Sequence, residues 1–309
     1  MTNQRTVPLT VFPVPAHGAE DVVVDAAGWV YTGTADGSVF RVSSDGQQID
    51  RVGRTGGRPL GLELLADGRL LVCDARAGLL ALHPGTGHVE KLLDLVRGRR
   101  MRFLNNAAVA EDGTIFFSDS STVHGLDRWQ ADLVEDTASG RLMRRTPEGA
   151  VEVLLEGLRF ANGVALAADE SFVAVAETGG RSVVRRWLSG PRAGQADHLV
   201  SDLPGYPDNI ARGSDGLIWV TIASPVDRVL ELVRRTPRPV RRLVARLPEA
   251  LQPTPRRTVR VLALDDTGRV VHDLGADASA FHMVTGLREH HGRVWLGSLH
   301  EPALAVLDL

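Results

Sequence analysis

The chain has 309 residues, of which 43% are hydrophobic and 24% charged, and its formal net charge is -3. This length allows two ordinary domains or one large β or α/β domain, and the composition is typical of a soluble globular protein. The small net charge gives no reason to expect nucleic acid or an anionic membrane surface as a partner.

The N-terminal segment and the single cysteine bear on location. Residues 1–15 read MTNQRTVPLTVFPVP, which contains prolines and no apolar core of signal-peptide length. No run in the chain has the length of a transmembrane helix. Cys73 lies in the apolar run LLVC, which predicts a buried, inert thiol, and one cysteine allows no disulfide within the chain. We therefore predict a cytoplasmic protein.

A β-hairpin signature recurs six times along the chain. Each copy has an apolar run, a turn rich in Gly, Asp or Asn, and a second apolar run. The copies lie at residues 22–34, 62–74, 107–119, 164–177, 210–222 and 284–298. Most are followed by another hairpin, and four strands per unit with roughly 40 to 55 residues between copies is the period of a propeller blade. The pattern predicts an all-β fold, a six-bladed β-propeller formed by one domain over residues 1–309.

Two ends and two insertions complete the predicted architecture. Residues 6–14 alternate apolar side chains before the first blade, and the last blade ends after about three strands, so we expect the N-terminal strand to close that blade and remove an exposed edge. One insertion, residues 123–141, lengthens blade three. The other, about 226–257 in blade five, has helical spacing broken by Pro237 and Pro239, which predicts two short helices. It is either a lid over one face or a solvated, arginine-rich excursion.

Polar residues precede four of the predicted inner strands. They are Glu20, Asn105, Asn162 and Asp208. Asn-Gly and Pro-Asp-Asn are good turn formers, so either of the motifs FANG and YPDN alone could be turn chemistry. Inner strands line the channel of a propeller, however, and four blades repeat the feature. Two carboxylates and two amides converging on one axis form an oxygen set that suits Ca²⁺ or another divalent ion.

With these residues the chain resembles the calcium-dependent six-bladed propeller hydrolases, a superfamily of gluconolactonase-, senescence-marker-protein- and paraoxonase-like enzymes. It is most similar to their strictosidine-synthase-like branch. The resemblance covers nearly the whole chain, and its most specific pieces are GAEDVVVDAAGWVYTGTADG, GRPLGLELLADGRLLVCDA, FLNNAAVAEDGTIFFSDSS, the run from FANGVAL to WLSGPRAG, and LPGYPDNIARGSDGLIWV.

The resemblance implies a catalytic calcium held by the four residues named above, with Asn209 as a further ligand. It also implies that Asp208 acts as general base or nucleophile in the hydrolysis of a small-molecule lactone or ester. Most relatives have Asn-Asp where this chain has Asn105-Asn106, so Asn106 puts a second, structural calcium in doubt.

Two other functions remain open. One is an amine–aldehyde condensing enzyme like strictosidine synthase, in which a glutamate after the fifth inner strand carries the reaction. The matching stretch here, WVTIASPVDRV, has no glutamate before Glu231, which argues against that chemistry. The other is a propeller that only binds a partner, against which the polar convergence argues.

Three histidines are candidates for a proton shuttle. His124 follows the third inner hairpin and could reach the channel mouth, and we take it as the second catalytic candidate. His282 and His300 flank the last blade, and for each of the three a packed or loop histidine is the alternative. Glu177, Thr285 and Ser298 are undecided between pocket and surface.

Overall fold

Six antiparallel sheets account for most of the chain in the computed structural model, which describes residues 4–247 and 254–309. The first two sheets, in chain order from inner to outer strand, contain β3 (Val22–Val24), β4 (Val30–Gly33), β5 (Ser38–Val42) and β6 (Ile49–Arg54), then β7 (Pro59–Leu64), β8 (Leu70–Asp74), β9 (Gly78–Leu82) and β10 (Val89–Leu93). The next two contain β13 (Leu104–Val109), β14 (Ile115–Asp119), β15 (Gly140–Arg145) and β16 (Val151–Leu158), then β17 (Ala161–Leu166), β18 (Phe172–Glu177), β19 (Ser182–Trp187) and β20 (Ala196–Val200).

The last two sheets each take one strand from the N-terminus. Blade five contains β21 (Gly205–Arg212), β22 (Ile218–Pro225), β23 (Val259–Leu264) and β24 (Val270–Ala276), with β1 (Arg5–Thr6) added parallel to β24. Blade six contains β25 (Val284–His290), β26 (Arg293–Ser298) and β27 (Ala303–Asp308), and β2 (Leu9–Pro13) pairs antiparallel with β27 as its outermost strand. The N-terminus therefore joins two adjacent blades, because β1 and β2 cover the outer edges of both.

The six inner strands form a closed ring. Each contacts the inner strand of the sheet on either side, in the order β3, β7, β13, β17, β21, β25 and back to β3. The fold is thus a six-bladed β-propeller, and each of the six hairpins recognised in the sequence supplies the two innermost strands of one blade. Apolar side chains of neighbouring sheets meet between the blades, where Trp219, Phe117 and Phe172 are fully buried.

Short helices lie on the side of the propeller where the inner strands begin. A 3-10 helix (Leu126–Arg128) and α1 (Trp129–Glu135) come between β14 and β15, and α2 (Arg228–Arg234) and α3 (Arg238–Val244) come between β22 and β23. A two-stranded hairpin, β11 (Leu95–Val96) and β12 (Arg99–Arg100), precedes β13. None of the described helices has the length and hydropathy that a transmembrane span requires.

The three α-helices pack together into a unit that we call the cap. Ala131, Val134, Leu230 and Ala245 of the cap are buried together with Tyr206. The side chain of Asp227 caps α2 by accepting hydrogen bonds from two backbone amides of its first turn. Pro237 and Pro239 lie at the start of α3, so the two helices separate where proline ends helical hydrogen bonding. Residues 248–253 of the predicted insertion lie outside the described residues.

Candidate metal centre

A β-bulge recurs near the start of five inner strands. In β7, β13, β17, β21 and β25 two residues face a single residue of the partner strand, at 60–61, 105–106, 162–163, 208–209 and 285–286. A bulge interrupts the ladder and redirects side chains, which is how polar groups reach the channel from strands that are otherwise apolar. Three of the polar residues predicted to precede the inner strands, Asn105, Asn162 and Asp208, are the first residues of their bulges. Glu20 lies just before β3, which pairs with β4 without a register shift.

The second bulge residue approaches the neighbouring inner strand very closely. A Cβ atom on Gly163 would lie 2.0 Å from the backbone nitrogen of Ile210, and one on Gly286 would lie 2.4 Å from the Cα of Asp21. Glycine at these positions therefore allows adjacent inner strands to meet around a narrow channel.

Glu20 and the first bulge residues of blades three to six line one small cavity in the channel. Its volume is about 30 Å³, which is room for an ion or a water molecule. Glu20, Asn105, Asn162 and Asp208 lie on its wall, as the sequence suggested, and Thr285 of blade six joins them. Thr285 was undecided in the sequence, and its position as the first residue of the sixth-blade bulge is the signal that could have found it.

Several of the inward amide oxygens have no hydrogen-bond partner. The Oδ1 atoms of Asn105 and Asn162 are buried and unpaired, although their Nδ2 groups donate to Ser120 and Thr178 at 3.0 and 3.2 Å. Both polar side-chain atoms of Asn209 are also buried without a partner, but Asn209 is the second residue of its bulge and is not on the wall of this cavity. A buried acceptor without a partner costs free energy, so unpaired oxygens aimed into one cavity indicate a ligand there.

The two carboxylates of the cavity are held in an environment that disfavours negative charge. Burial raises the pKa of Glu20 to about 7, with Arg58 opposing this shift and Asp21 adding to it. Burial and the charge of Glu20 raise the pKa of Asp208 well above its ordinary value. Asp208 is only partly buried by surface area because it borders the cavity. Two carboxylates in one desolvated site require a cation or a proton between them.

Arg58 is a site residue that the sequence analysis missed. Its Nη2 donates to Oε2 of Glu20 at 3.1 Å, and its Nη1 donates to the backbone carbonyls of Gly18 and Pro59. The side chains of Arg58 and Glu20 are only 6% and 5% exposed. The guanidinium therefore holds one oxygen of the Glu20 carboxylate, while the carboxylate lines the cavity.

One step further along the channel, Asn106 makes an internal hydrogen bond to Asp21. The Nδ2 of Asn106 donates to Oδ2 of Asp21 at 3.2 Å, and its Oδ1 accepts from the backbone nitrogen of Val164 at 3.0 Å. Asp21 also accepts from the backbone nitrogen of Leu62 at 3.0 Å. Burial nevertheless raises the pKa of Asp21 to about 6. Every polar atom of Asn106 has a partner, unlike the amides of the cavity above it.

A second set of residues lies two positions before Glu20 and before the first bulge residues. Its members are Gly18, Arg58, Phe103, Phe160, Tyr206 and Met283. Phe103, Phe160 and Met283 also line the small cavity. Phe160 and Met283 have positive φ angles of 65° and 50°, which are uncommon for side chains of this size. Four of the six are large and aromatic or apolar, so the approach to the oxygen ligands is an apolar one.

A second cavity, of about 60 Å³, connects Asp208 with the underside of the cap. Trp129, Leu133, Val134 and Leu230 of the cap line it, together with Tyr206 and Met283 of the mouth. The Tyr206 hydroxyl donates to Oε1 of Glu231 at 2.9 Å, and Glu231 lies 3.5 Å from Arg234. The carboxylate of Glu231 is thus occupied by two neighbours, and Glu231 is not among the residues that line either cavity.

The histidine candidates lie elsewhere. Nε2 of His124 is 3.3 Å from Oε1 of Glu135 at the end of α1, and His124 lines neither cavity that Asp208 borders. His282 contacts Glu301, and its ring lies 5.8 Å from that of His300. Glu177 accepts from the Arg159 backbone and from Ser182, and the Ser298 hydroxyl donates to the backbone of His282. None of these side chains meets Asp208 in the described structure.

The residues present fit a hard divalent cation. Within residues 4–247 and 254–309, no three His, Cys, Asp or Glu side chains converge in metal-binding geometry, so the set is unlike a zinc site. It combines two carboxylates with amide oxygens that lack partners, and oxygen donors of this kind suit Ca²⁺. The ion would be held by Glu20, Asn105, Asn162 and Asp208. Asn209, the residue after Asp208 in β21, also has an unpaired side-chain amide.

Comparisons with known proteins give consistent results. A family described as strictosidine synthase matches residues 105–191, and one described as strictosidine synthase-like, N-terminal, matches residues 3–42. The adipocyte plasma membrane-associated protein of Salmo salar is 36% identical over 91% of this chain and 73% of its own length. Protein strictosidine synthase-like 10 of Arabidopsis thaliana is 33% identical over 95% of this chain and 86% of its own length.

Solved structures show the same fold at low sequence identity. A gluconolactonase from Xanthomonas campestris superposes with a TM-score of 0.70 at 18% identity, covering 97% of this chain and 89% of that one. A regucalcin from Agrobacterium tumefaciens, described as a calcium-binding protein, gives a TM-score of 0.70 at 12% identity, with 99% and 95% coverage.

Proposed function

The chain belongs to the strictosidine synthase-like family of six-bladed propellers, and from that premise we propose that it is a calcium-dependent hydrolase of apolar lactones or esters. The observation that carries this proposal is the set of buried, unpaired amide oxygens of Asn105 and Asn162 around the same cavity as Glu20 and Asp208. The gluconolactonase and regucalcin structures have the same fold, which supports a channel-mouth site on this scaffold.

The proposed chemistry divides between the ion and the chain. A bound calcium ion would supply Lewis-acid polarisation of the substrate's carbonyl oxygen. Asp208 borders both cavities and is therefore the carboxylate that can reach a substrate in the outer one, where it acts as general base toward water or as nucleophile. Arg58 positions Glu20 through its hydrogen bond. The cap excludes bulk water from the reacting carboxylate.

The apolar side chains around the outer cavity indicate the substrate class. Trp129, Leu133, Leu230 and Met283 surround the outer cavity, so a polyhydroxylated sugar lactone would bury its hydroxyl groups against apolar side chains. Burial of an alkyl or aryl group in this cavity would instead make binding more favourable, because apolar surface is removed from water. We therefore propose an apolar acyl or aryl lactone or ester as the small-molecule substrate. The cytoplasmic location stays a prediction, as does the oxygen-ligand role of Asn209.

The two alternatives have specific weaknesses. Amine–aldehyde condensation would need a carboxylate free in the pocket, and Glu231 hydrogen-bonds Tyr206 and neighbours Arg234. A scaffold without catalysis would leave the unpaired amide oxygens without a purpose. Both alternatives predict that loss of Asp208 leaves the protein's activity or binding largely intact.

The test is a lactone and aryl-ester hydrolysis screen on chelator-treated and calcium-reloaded protein. We expect activity only after reloading, and a loss of about 100-fold or more in kcat/KM for Asp208→Asn. Glu177→Gln is the matched control, because Glu177 is also a buried carboxylate near the mouth yet is satisfied by Arg159 and Ser182. Activity that survives chelation, or an Asp208→Asn variant as active as the control, would show the proposal to be wrong.

A further inference from the structure

The outward surface of the cap has an unusual composition. Between residues 228 and 247 twelve residues are exposed, and they comprise five arginines, five valines or leucines and two prolines. No acidic, amide or hydroxyl side chain is among them. An ordinary solvated helix surface mixes both signs of charge with neutral polar groups, so this surface, which we call the cap face, is not explained by solubility.

The apolar residues of the cap face are highly exposed and regularly spaced. Val229 and Leu232 of α2 are 60% and 65% exposed, and Val240 and Leu243 of α3 are 44% and 67% exposed. In each helix the two are three residues apart, which puts them on one side. Only two other large hydrophobic residues of the described chain, Leu95 and Val123, are at least 44% exposed, so four of these six residues lie on the two short helices.

The opposite sides of both helices are already occupied. Leu230 is buried against Tyr206 and α1, with Val233 and Val244 packed beside it. Arg234 and Arg241 point inward as well, to Asp136 at the end of α1, at 2.8 and 3.3 Å. The outward valines and leucines are therefore a second apolar surface, one that the propeller does not cover.

The charge of the cap face indicates what covers it. Its arginines are Arg228, Arg235, Arg238, Arg242 and Arg246, and in the described structure only Arg242 has an acidic oxygen within 4.0 Å, that of Glu135 at 3.9 Å. The whole chain has a net charge of -3, so the positive charge is concentrated here. Four of the five arginines beside the apolar stripe have no acidic oxygen within 4.0 Å among the described residues. Such a surface complements one that carries negative charge at its outside and is apolar beneath.

We propose that the cap face docks on an anionic lipid bilayer. Val229, Leu232, Val240 and Leu243 lie at the boundary between headgroups and acyl chains, and the arginines contact lipid phosphates. This proposal departs from the expectation of no membrane partner, which was drawn from the net charge, because net charge averages over a surface whose charges are unevenly placed. The cap also covers the outer cavity at Asp208, so the bound protein faces a reservoir of apolar molecules.

A second basic feature lies on the same side of the propeller. The hairpin β11–β12 comes just before inner strand β13 and borders a cleft of about 1310 Å³, which Arg99, Arg100 and Arg102 line. Leu95 at the base of this hairpin is 51% exposed. The β11–β12 hairpin and its cleft thus combine arginines with an exposed apolar side chain, as the cap face does. This hairpin therefore extends the surface available to anionic headgroups.

The test is co-sedimentation of the full chain with two kinds of vesicle, phosphatidylcholine alone and an equimolar mixture of phosphatidylcholine and phosphatidylglycerol. We expect binding to the anionic vesicles only, weakened by salt. Leu232→Glu with Leu243→Glu should lower the partition coefficient about ten-fold or more, because each leucine loses its apolar contact and adds a repelled charge. The matched control is Val271→Glu with Leu309→Glu, at two residues 40% and 42% exposed outside the cap.

Three results would overturn the proposal: no binding of the wild type to anionic vesicles at low salt, equal losses in the cap and control variants, or a wild-type dimer in sedimentation velocity that the cap variant converts to monomer. The last would identify a second copy as the occupant. Matching circular dichroism spectra and melting temperatures ensure that a loss of binding reflects the surface. Vesicle binding is measured without substrate, so this test is independent of whether the protein is a hydrolase.

Discussion

Arg58 and Glu20 form an ion pair inside the propeller, with Nη2 of the arginine 3.1 Å from Oε2 of the glutamate. The pair joins the start of blade two to the start of blade one, and Arg58 also donates to the backbone at Gly18. One of the two carboxylates proposed to bind calcium thus has a cationic neighbour, whereas no arginine, lysine or histidine of residues 4–247 and 254–309 pairs with Asp208. Because of this asymmetry, the negative charge of Asp208 depends on the bound ion for its compensation, and Asp208 is the carboxylate available to the substrate.

Arg58→Met should destabilise the chelated protein more than the calcium-bound protein. Removing one partner of a buried ion pair leaves the other charge uncompensated, which lowers the free energy of unfolding by about 3 kcal/mol. Calcium can still neutralise Glu20, so the rise in melting temperature on adding calcium should be larger than in the wild type. Thermal unfolding with calcium and with chelator measures both values. A smaller calcium effect in the variant would contradict the role given to Arg58.

Asn162→Leu should abolish most of the calcium response while leaving the chelated fold nearly as stable. The Oδ1 of Asn162 has no partner to lose, although the substitution removes the hydrogen bond from its Nδ2 to Thr178. Leucine already occupies the equivalent bulge position in blade two at Leu60. Asn106→Leu is the control, because its amide has partners in Asp21 and Val164 and its loss should cost on the order of 1–3 kcal/mol with or without calcium. Calorimetric titration and chemical unfolding give the two readouts; equal calcium affinity in both variants would refute the assignment.

The protein should bind one calcium ion per chain. The Asn106 amide donates to Asp21 where a second acid would be needed, so no second ligand set forms. Asn106→Asp replaces that hydrogen bond with two carboxylates in contact, which repel each other in the absence of a cation. We expect this variant to melt lower in chelator, to recover in calcium, and to bind two ions. A wild-type stoichiometry of two would show that the internal hydrogen bond yields to metal.

Asp136→Asn should loosen the cap without unfolding the propeller. Asp136 lies within 3.3 Å of Arg159, Arg234 and Arg241, which come from the connection between blades three and four, from α2 and from α3. Asparagine retains the left-handed backbone that Asp136 adopts at φ 52°. We expect hydrogen exchange in 228–247 to accelerate roughly ten-fold, since hydrogen bonds to a charged group are lost.

Asp202→Asn is the control for the cap experiment. Asp202 has a similar φ of 55° and an ion pair with Arg181, but it is exposed and lies between blades four and five. Exchange in 228–247 should not change in this variant. If the Asp136 and Asp202 variants exchanged at the wild-type rate alike, packing against Tyr206 and Leu230 alone would hold the cap.

His124→Asn tests the proton-shuttle hypothesis. His124 pairs with Glu135 and lines neither cavity that Asp208 borders, so we expect a loss of activity well below the roughly 100-fold that removing a general acid–base group causes. Its readout is the pH profile of kcat/KM. A profile that loses one limb in the variant would establish His124 as the shuttle after all.

The sequence by itself determined the architecture. Six hairpin signatures predicted six blades because alternation and turn residues are local properties, and local properties survive in any tertiary context. The same repeat aligned Glu20, Asn105, Asn162 and Asp208, so the residues of the cavity could be predicted without coordinates. The chemistry of this oxygen set predicted the ion, family resemblance added Asn209 and the role of Asp208, and the structure provides unpaired oxygens that fit such an ion.

Only the tertiary structure decided which of these residues share one cavity and what surrounds them. Arg58 reaches Glu20 across 38 positions of sequence, and Asn106 reaches Asp21 across 85, so no local pattern links either pair. The bulges that turn the polar residues inward, and Thr285 with them, follow from how inner strands pair. The cap face likewise depends on which sides of α2 and α3 pack on the propeller. Burial and long-range contact arise from the closed ring, and a linear pattern contains neither.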